Sequence, residues 1–239
     1  QIVHYDGPDR RGVDVALLYN PKVFTFLDSE SIPFTFEGSS IDWIQSQEER
    51  DYFRTRDILM VHGTIDGEHF AIYVAHLPSR SGGKKGGNQL RDRGGEIMYS
   101  HAMEMQKKYP GIKIVCMGDM NDNPWDSSIK DAFRTMAHRN NPDPFLVNLM
   151  RNNKNKRGSY VYSGDYCSFD QFLVSKPLLN HLEIEGKEEE MIFRPDFLID
   201  KDKNNRLIQP LSTYKGMHYQ GGASDHFPIR LFFKNNSKK

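Results

Sequence analysis

The sequence predicts an α/β chain in which β-sheets pack on one another with helices outside. Three observations carry this. Short apolar strands outnumber the helical stretches, and helices appear only intermittently. Asp66-Gly67 joins two strand-like runs as a tight hairpin. Ile112–Met117 (IKIVCM) is short and almost continuously apolar, as strands buried on both faces are. A regular βαβ alternation would need more helices than the pattern supplies.

Taken in chain order, Val13–Tyr19 and Val23–Asp28 read as strands flanking the turn signal Asn20-Pro21. Asp57–Ile65 and Glu68–His76 form the hairpin, its turn of type I′. Leu77–Asn88 is a Gly-rich basic loop, long enough to suggest a functional one. Asn88 caps a helix from Gln89 to Lys108, whose apolar face is Leu90, Ile97, Met98, Ala102 and Met105. Gly94-Gly95 weakens its first turns. After the buried strand, Asn123-Pro124 starts a short helix at Asp126–Met136. Further strands are Ser159–Tyr162, Gln171–Val174 and Phe227–Phe233, and the acidic stretch Glu183–Glu190 reads as a solvated loop.

The composition narrows the classes. The 239 residues suffice for one well-cored domain, and no apolar run approaches the ~20 residues of a transmembrane helix. Lys+Arg and Asp+Glu number 32 each, which argues against binding nucleic acid by bulk charge while leaving room for a local basic patch. Two cysteines, Cys116 and Cys167, are too few for a disulfide framework and read as buried thiols.

Four segments carry chemistry. In Ile114–Asp122 (IVCMGDMND) a buried strand ends at Gly118 and polar side chains follow at once. If the chain stays extended, Asp119 and Asn121 point the same way and suit a water nucleophile, a phosphate oxygen or a hard metal. An Asx-turn leading into the next helix is the competing account. In Gly221–Phe233, a Gly-rich loop delivers Ser224, Asp225 and His226 to a strand mouth. His226 there suits stabilisation of developing negative charge. Asp170 precedes an apolar strand and is placed to hold an imidazole by its ring N–H. His76 ends the second hairpin strand, followed by Arg80, Lys84 and Lys85, and Arg56 opens the first. Lys84 and Lys85 read as a solvated loop.

In this order, TRDILMV, GEHFAIYVAHLPSR, IVCMGDMNDNP, DQFLVS and GGASDHFPI resemble the endonuclease/exonuclease/phosphatase superfamily. That group holds the DNase I-like nucleases, apurinic endonucleases, sphingomyelinases and inositol-polyphosphate phosphatases. The resemblance implies a four-layer α/β sandwich, two mixed β-sheets face to face with helices outside. It implies hydrolysis of a phosphoester by in-line water, with Mg²⁺ or Mn²⁺ as cofactor. By motif, Asp119 looks like the water-activating residue and Asn121 like the one positioning water and phosphate. Asp225 resembles the metal-side carboxylate, His226 the imidazole at the phosphate, and Asp170 its orienting partner. His76 matches a strand-end His that contacts phosphate or protonates the leaving oxygen, and Arg56 matches a phosphate-binding Arg.

The other His residues (His4, His62, His69, His101, His138, His181, His218) fit no motif. His62 and His69 lie on opposite hairpin arms, where facing each other across the hairpin is the alternative to the preferred reading as solvent-exposed strand residues, and His218 lies in a loop near the Ser-Asp-His motif.

The family's opening strand with a metal-positioning Asn, and the later strand ending in a metal-ligating Glu, have no counterpart before Arg10. Gln47-Glu48 imitates the Gln-Glu pair but lies downstream of Val13–Tyr19 and is not assigned. The expectation is a single domain over 1–239, N-terminally truncated, with the main Glu ligand and the N-terminal strands missing. A phosphodiesterase or nuclease is the leading reading. A phosphomonoesterase, a lipid phosphodiesterase and an inactive binding module on the same fold are the alternatives. Nucleic acid is a candidate partner: Arg80, Lys84, Lys85, Arg91 and Arg93 could line one rim and Lys154, Lys156 and Arg157 another. No exposed apolar hairpin stands out, which disfavours a lipid.

Overall fold

The computed structural model describes residues 1–37, 41, 44, 46–53, 55–80, 87–135, 144–151, 157–186, 188–201, 203–204 and 206–235. Lys84, Lys85, His138, Lys154 and Lys156 lie outside the described residues.

β1 (Ile2–His4) pairs antiparallel with β2 (Ala16–Leu18). After the turn at Asn20, whose carbonyl accepts from the N–H groups of Val23 and Phe24, β3 (Thr25–Ile32) joins a different sheet. The short α1 (Gln47–Tyr52) is exposed, so Gln47-Glu48 opens a surface helix. β4 (Ile58–Ile65) and β5 (Glu68–His76) form the predicted hairpin, and its two turn residues both take positive φ, 51° at Asp66 and 81° at Gly67. That is the type I′ geometry matching the strands' right-handed twist.

α2 (Gly87–Lys108) crosses over to β6 (Lys113–Asp119), which lies parallel to β5. Asn88 sits inside this helix and takes up the Arg91 guanidinium rather than capping. The predicted helix at Asp126–Met136 is a π-helical turn over Ser128–Ala132. Then come β7 (Leu146–Asn148), the β8–β9 hairpin (Tyr160–Tyr162, Asp165–Cys167) and β10 (Asp170–Ser175). β10 inserts antiparallel between β6 and β7 and completes a six-stranded mixed sheet in the order β3-β4-β5-β6-β10-β7.

α3 (Lys176–His181) leads directly into β11 (Leu182–Glu185). The acidic stretch is therefore partly a strand: β11 pairs with β14 (Phe232–Asn235), and Lys234 bridges Glu183 and Glu185. Opposite charges across and along the pair stabilise what a run of like charge would oppose. β12 (Tyr214–Lys215) and β13 (His218–Tyr219) form a small hairpin. The predicted strand Phe227–Phe233 shrinks to its last two residues. Its start is held instead by Phe227, which is buried, and by the single bridge Ile192–Ile229.

Strand alternation sorts the core. Ile58, Met60, Tyr73, Ile114 and Cys116 face α2 and pack on Met98, Ala102 and Met105. Leu59, Val61, Phe70, Val115 and Phe172 face the other way, onto Leu17, Phe24, Leu178 and Leu182. Each such fully buried side chain is worth ~1.5–3 kcal/mol relative to exposure. Among the described residues this second layer consists of two-stranded pieces, β1–β2 and β11–β14, in keeping with the expectation that strands are missing from one sheet. Gly94 and Gly95 are not a weak point. A Cβ on Gly94 would lie 2.5 Å from Leu77 Cδ2, and one on Gly95 would lie 2.8 Å from the Ser128 carbonyl oxygen. The pair lets α2 sit close to the strand end and the π turn.

His62 corrects the expectation of an exposed strand residue. It is 1% exposed, its Nδ1 3.0 Å from Asp28 Oδ2 and its Nε2 2.9 Å from His69 Nδ1, with the Tyr109 ring packed against it. Both cysteines are free and buried, as the sequence suggests.

Candidate active site

Strand register builds the site. β5 runs parallel to β6 with His76 opposite Asp119, and β10 runs antiparallel to β6 with Asp170 opposite Asp119. Adjacent strands lie ~4.8 Å apart, so three neighbouring strand ends present an imidazole and two carboxylates in one row. His76 Nε2 is 3.2 Å from Asp119 Oδ2. The loop after β13 brings in His226, with Nδ1 2.6 Å from Asp170 Oδ2 and Nε2 3.9 Å from Asp119 Oδ2.

The backbone at Asp119 is set by Gly118. Its φ is 134°, and a Cβ there would fall 1.9 Å from the Ala75 carbonyl oxygen, so only glycine permits β6 to end this way. Beyond it the chain does not stay extended. Asn121 takes φ 52°, and its N–H donates to Asp119 Oδ1 at 2.8 Å. Its Nδ2 donates to Leu77 O at 3.0 Å and to Asp119 Oδ2 at 3.2 Å. Asp119 and Asn121 converge through this Asx-type turn and not through strand alternation.

A cavity of about 420 Å³ opens over the row, within the ~300–1,000 Å³ typical of small-molecule sites. His76, Asp119, Asn121, Asp170, Asp225 and His226 all line it, together with Arg80 and an aromatic wall. Arg56 does not. It is 6% exposed, its Nη1 donates to the His76 carbonyl at 3.3 Å, and it lines a separate small recess with Asp14 and Tyr5.

Burial and neighbours drive the charges apart. Burial, then the adjacent Asp170 charge, pushes Asp119 up to about 6. Burial alone would lower His226, but the hydrogen bond and charge of Asp170, helped by Asp119 and Asp225, push it up to about 9. Burial, with the Arg56 and His226 charges, lowers His76 to about 4. At pH 7 the row therefore holds an imidazolium beside a neutral imidazole, and a carboxylate close to its own titration.

Behind the row lies a buried polar network that motif reasoning missed. Asp122, almost fully buried, accepts from Arg80 Nη2 at 2.7 Å and from Ser128 Oγ at 2.8 Å, and pairs with Arg91 Nε at 2.8 Å. Gln171 Nε2 donates to Asp122 O at 2.5 Å and in turn accepts from Asn148 Nδ2 at 2.6 Å. Arg80 also pairs with Asp126 and donates to Asn121 O at 2.8 Å. Arg91 falls seven residues before Met98 on the buried helix face, the one sequence signal that marks it as inward-pointing. Arg91 is thus not a rim cation, and Arg93 is spent on the Thr35 and Glu37 carbonyls. Arg157 is exposed just before β8. An exposed apolar hairpin does exist: β12–β13 leaves Tyr214, Met217 and Tyr219 open, and His218 lies on it.

The donor set fits a hard divalent cation. Carboxylate oxygens of Asp119 and Asp170 lie within 4.8 Å of one another, and Asp225 adds a third carboxylate to the same cavity, while His226, charged and held by Asp170, is no donor to a cation.

Residues 1–235 match the Endonuclease/Exonuclease/phosphatase family, and the chain belongs to it. Enzymes of this family are generally dependent on divalent metals.

The fold is similar to that of a mannosyl-6-phosphatase from Bacteroides thetaiotaomicron, with TM-score 0.57 and 14% identity over 98% of this chain and 77% of that one. It is similar to a functionally unknown conserved protein from Enterococcus faecalis, with TM-score 0.56 and 12% identity over 99% and 77%. It is similar also to the human Nocturnin catalytic domain with bound sulfate, with TM-score 0.52 and 15% identity over 77% of this chain. That match spans 62% of the Nocturnin chain. No curated protein matches the chain by sequence.

Proposed function

We propose that the protein hydrolyses a phosphodiester by in-line attack of water, with a divalent cation such as Mg²⁺ or Mn²⁺. The observation that carries this is the convergence of Asp119, Asn121, His76 and the Asp170–His226 pair on one cavity. Asp119 accepts the water proton as the new oxygen–phosphorus bond forms. A carboxyl raised to about 6 is better matched to that task at neutral pH than an ordinary one. Asn121, fixed by its own turn, positions the water and the phosphate. His226, charged and held by Asp170, donates from Nε2 to the phosphate oxygens, where negative charge grows. His76, neutral at pH 7, offers a hydrogen bond to the phosphate or the leaving oxygen. The bond from phosphorus to that oxygen breaks, and the oxygen collects its proton from solvent. Asp225 would hold the cation, which when bound would offset charge on phosphate and leaving group. Arg56 acts on this reading through the His76 carbonyl.

The test is a panel of plasmid DNA, abasic oligonucleotide, RNA, sphingomyelin and inositol phosphates, each with Mg²⁺ and Mn²⁺. Cation-dependent release of product, abolished in Asp119→Ala, is the expected result. No hydrolysis of any of them, or full activity in Asp119→Ala, would sink the reading.

A further inference from the structure

The cavity has an apolar wall that the hydrolytic row does not use. Tyr160 and Tyr162 are two apart in β8, so both side chains leave the same face of the β8–β9 hairpin. Tyr160 lies face to face with His226, ring centroids 4.4 Å apart and planes 21° from parallel. Phe169 stacks 5.7 Å from Tyr160 at 29°, and Tyr162 stacks 6.4 Å from it at 29°. All three rings line the cavity. Arg80 also lies over the Phe169 ring, its guanidinium 4.9 Å from the ring centroid and its charge answered by Asp122 and Asp126. Tyr162 is 40% exposed, so its ring is offered to a ligand as much as to the fold.

A phosphate group needs donors and cations and has no use for such a wall. An acyl chain needs an enclosed apolar channel, whereas this wall is open to solvent at Tyr162. A sugar needs polar partners for its hydroxyls, and the wall offers only two phenol groups. A flat heteroaromatic ring matches it in shape and chemistry, since every nucleobase has a face that stacks on an aromatic side chain.

We propose that the site takes a phosphoester bearing an unpaired nucleobase, with that base stacked on the exposed ring of Tyr162. The proposal rests on the phosphoesterase reading above. The substrate class is then a single-stranded nucleic acid or a nucleotide derivative. A duplex is excluded, because its bases are stacked on each other and out of reach. Tyr162 is the specificity residue. Tyr160 has a different part, since its ring holds the His226 plane.

Binding of the full chain is measured in EDTA, where cation-dependent cleavage is suppressed, using a DNA tetranucleotide carrying one 2-aminopurine. The fluorophore's emission is quenched when it stacks. Wild type should bind with quenching, Tyr162→Phe should keep both, and Tyr162→Ala should bind about tenfold more weakly without quenching. A tetranucleotide of abasic sites should bind wild type at least about tenfold more weakly than the base-bearing one. Equal binding of the abasic strand, unchanged affinity and quenching in Tyr162→Ala, or competition by glucose 6-phosphate as effective as by AMP would each overturn the proposal. Failure of the phosphoesterase reading has a different signature, namely no cation-dependent hydrolysis while base-dependent binding persists.

Discussion

Asp170 Oδ2 and His226 Nδ1 are 2.6 Å apart although 56 positions separate the residues in the chain. The carboxylate accepts the ring N–H and turns Nε2 toward Asp119. Its charge outweighs the burial that would otherwise deprotonate the ring, which is pushed up to about 9.

Asp170→Asn should therefore bring the His226 titration down by well over one pH unit, read by heteronuclear NMR of the imidazole in the cation-free protein. The stability consequence has a defined sign. A His whose folded value is raised contributes stability that is fully present below its unfolded value of ~6.5 and is lost as pH rises through the folded value. The stability gap between wild type and Asp170→Asn should be widest at pH 6 and should close by pH 10, measured by urea unfolding. A gap independent of pH would contradict this.

Gly118→Ala should cost at least ~1–3 kcal/mol, because the added Cβ meets the Ala75 carbonyl at a φ of 134°. Thermal unfolding measures it. The same change should move Asp119 and so depress hydrolysis, whereas Gly111→Ala, with no atom within 4 Å of its Cβ, should leave hydrolysis unaffected.

Arg91→Met should be destabilising by roughly 3–5 kcal/mol, because it removes a partner from the buried Asp122 carboxylate. Arg91→Lys should recover only part of this, since a point charge does not reproduce the guanidinium fork that also reaches Asn88 and the Pro78 carbonyl.

Adding Mg²⁺ or Mn²⁺ should raise the melting temperature, with ~2.7 kcal/mol of linked stabilisation expected at a hundredfold excess over the dissociation constant. Asp225→Asn should weaken that response. Because Asp225 is exposed, the same substitution should scarcely change stability in EDTA.

Burial holds the Cys116 thiol well above its ordinary range, and it is fully enclosed. A thiol reagent at pH 8 should leave Cys116 unmodified in the folded protein and modify it in denaturant.

The parts of this architecture legible in the sequence are those decided locally. Asp66-Gly67 announces its hairpin because positive φ at both positions suits few other pairs. The apolar run ending at Gly118 announces a buried strand because no exposed element tolerates it. The site residues were readable only as motifs in order. That His76, Asp119 and Asp170 stand abreast depends on pairing between strands far apart in sequence. The same distance hid the burial of His62, whose partner Asp28 lies 34 positions away, and the strand at Leu182–Glu185, which needs β14 to exist. Asn121 reached its place by a turn that residue alternation does not anticipate.

The matched ends of β5, β6 and β10 give the molecule an alignment gauge. Side chains alternate faces along a strand, so deleting one residue inside β6 would swing Asp119 away from His76 and Asp170 together. Lengthening the connections at open positions such as Gly111, away from Arg80, Asn121 and Tyr160, disturbs none of the three. Changes in length should therefore be tolerated at such open positions and refused within these strands, which makes the spacing within each strand as much an inherited part of the chemistry as the carboxylates themselves.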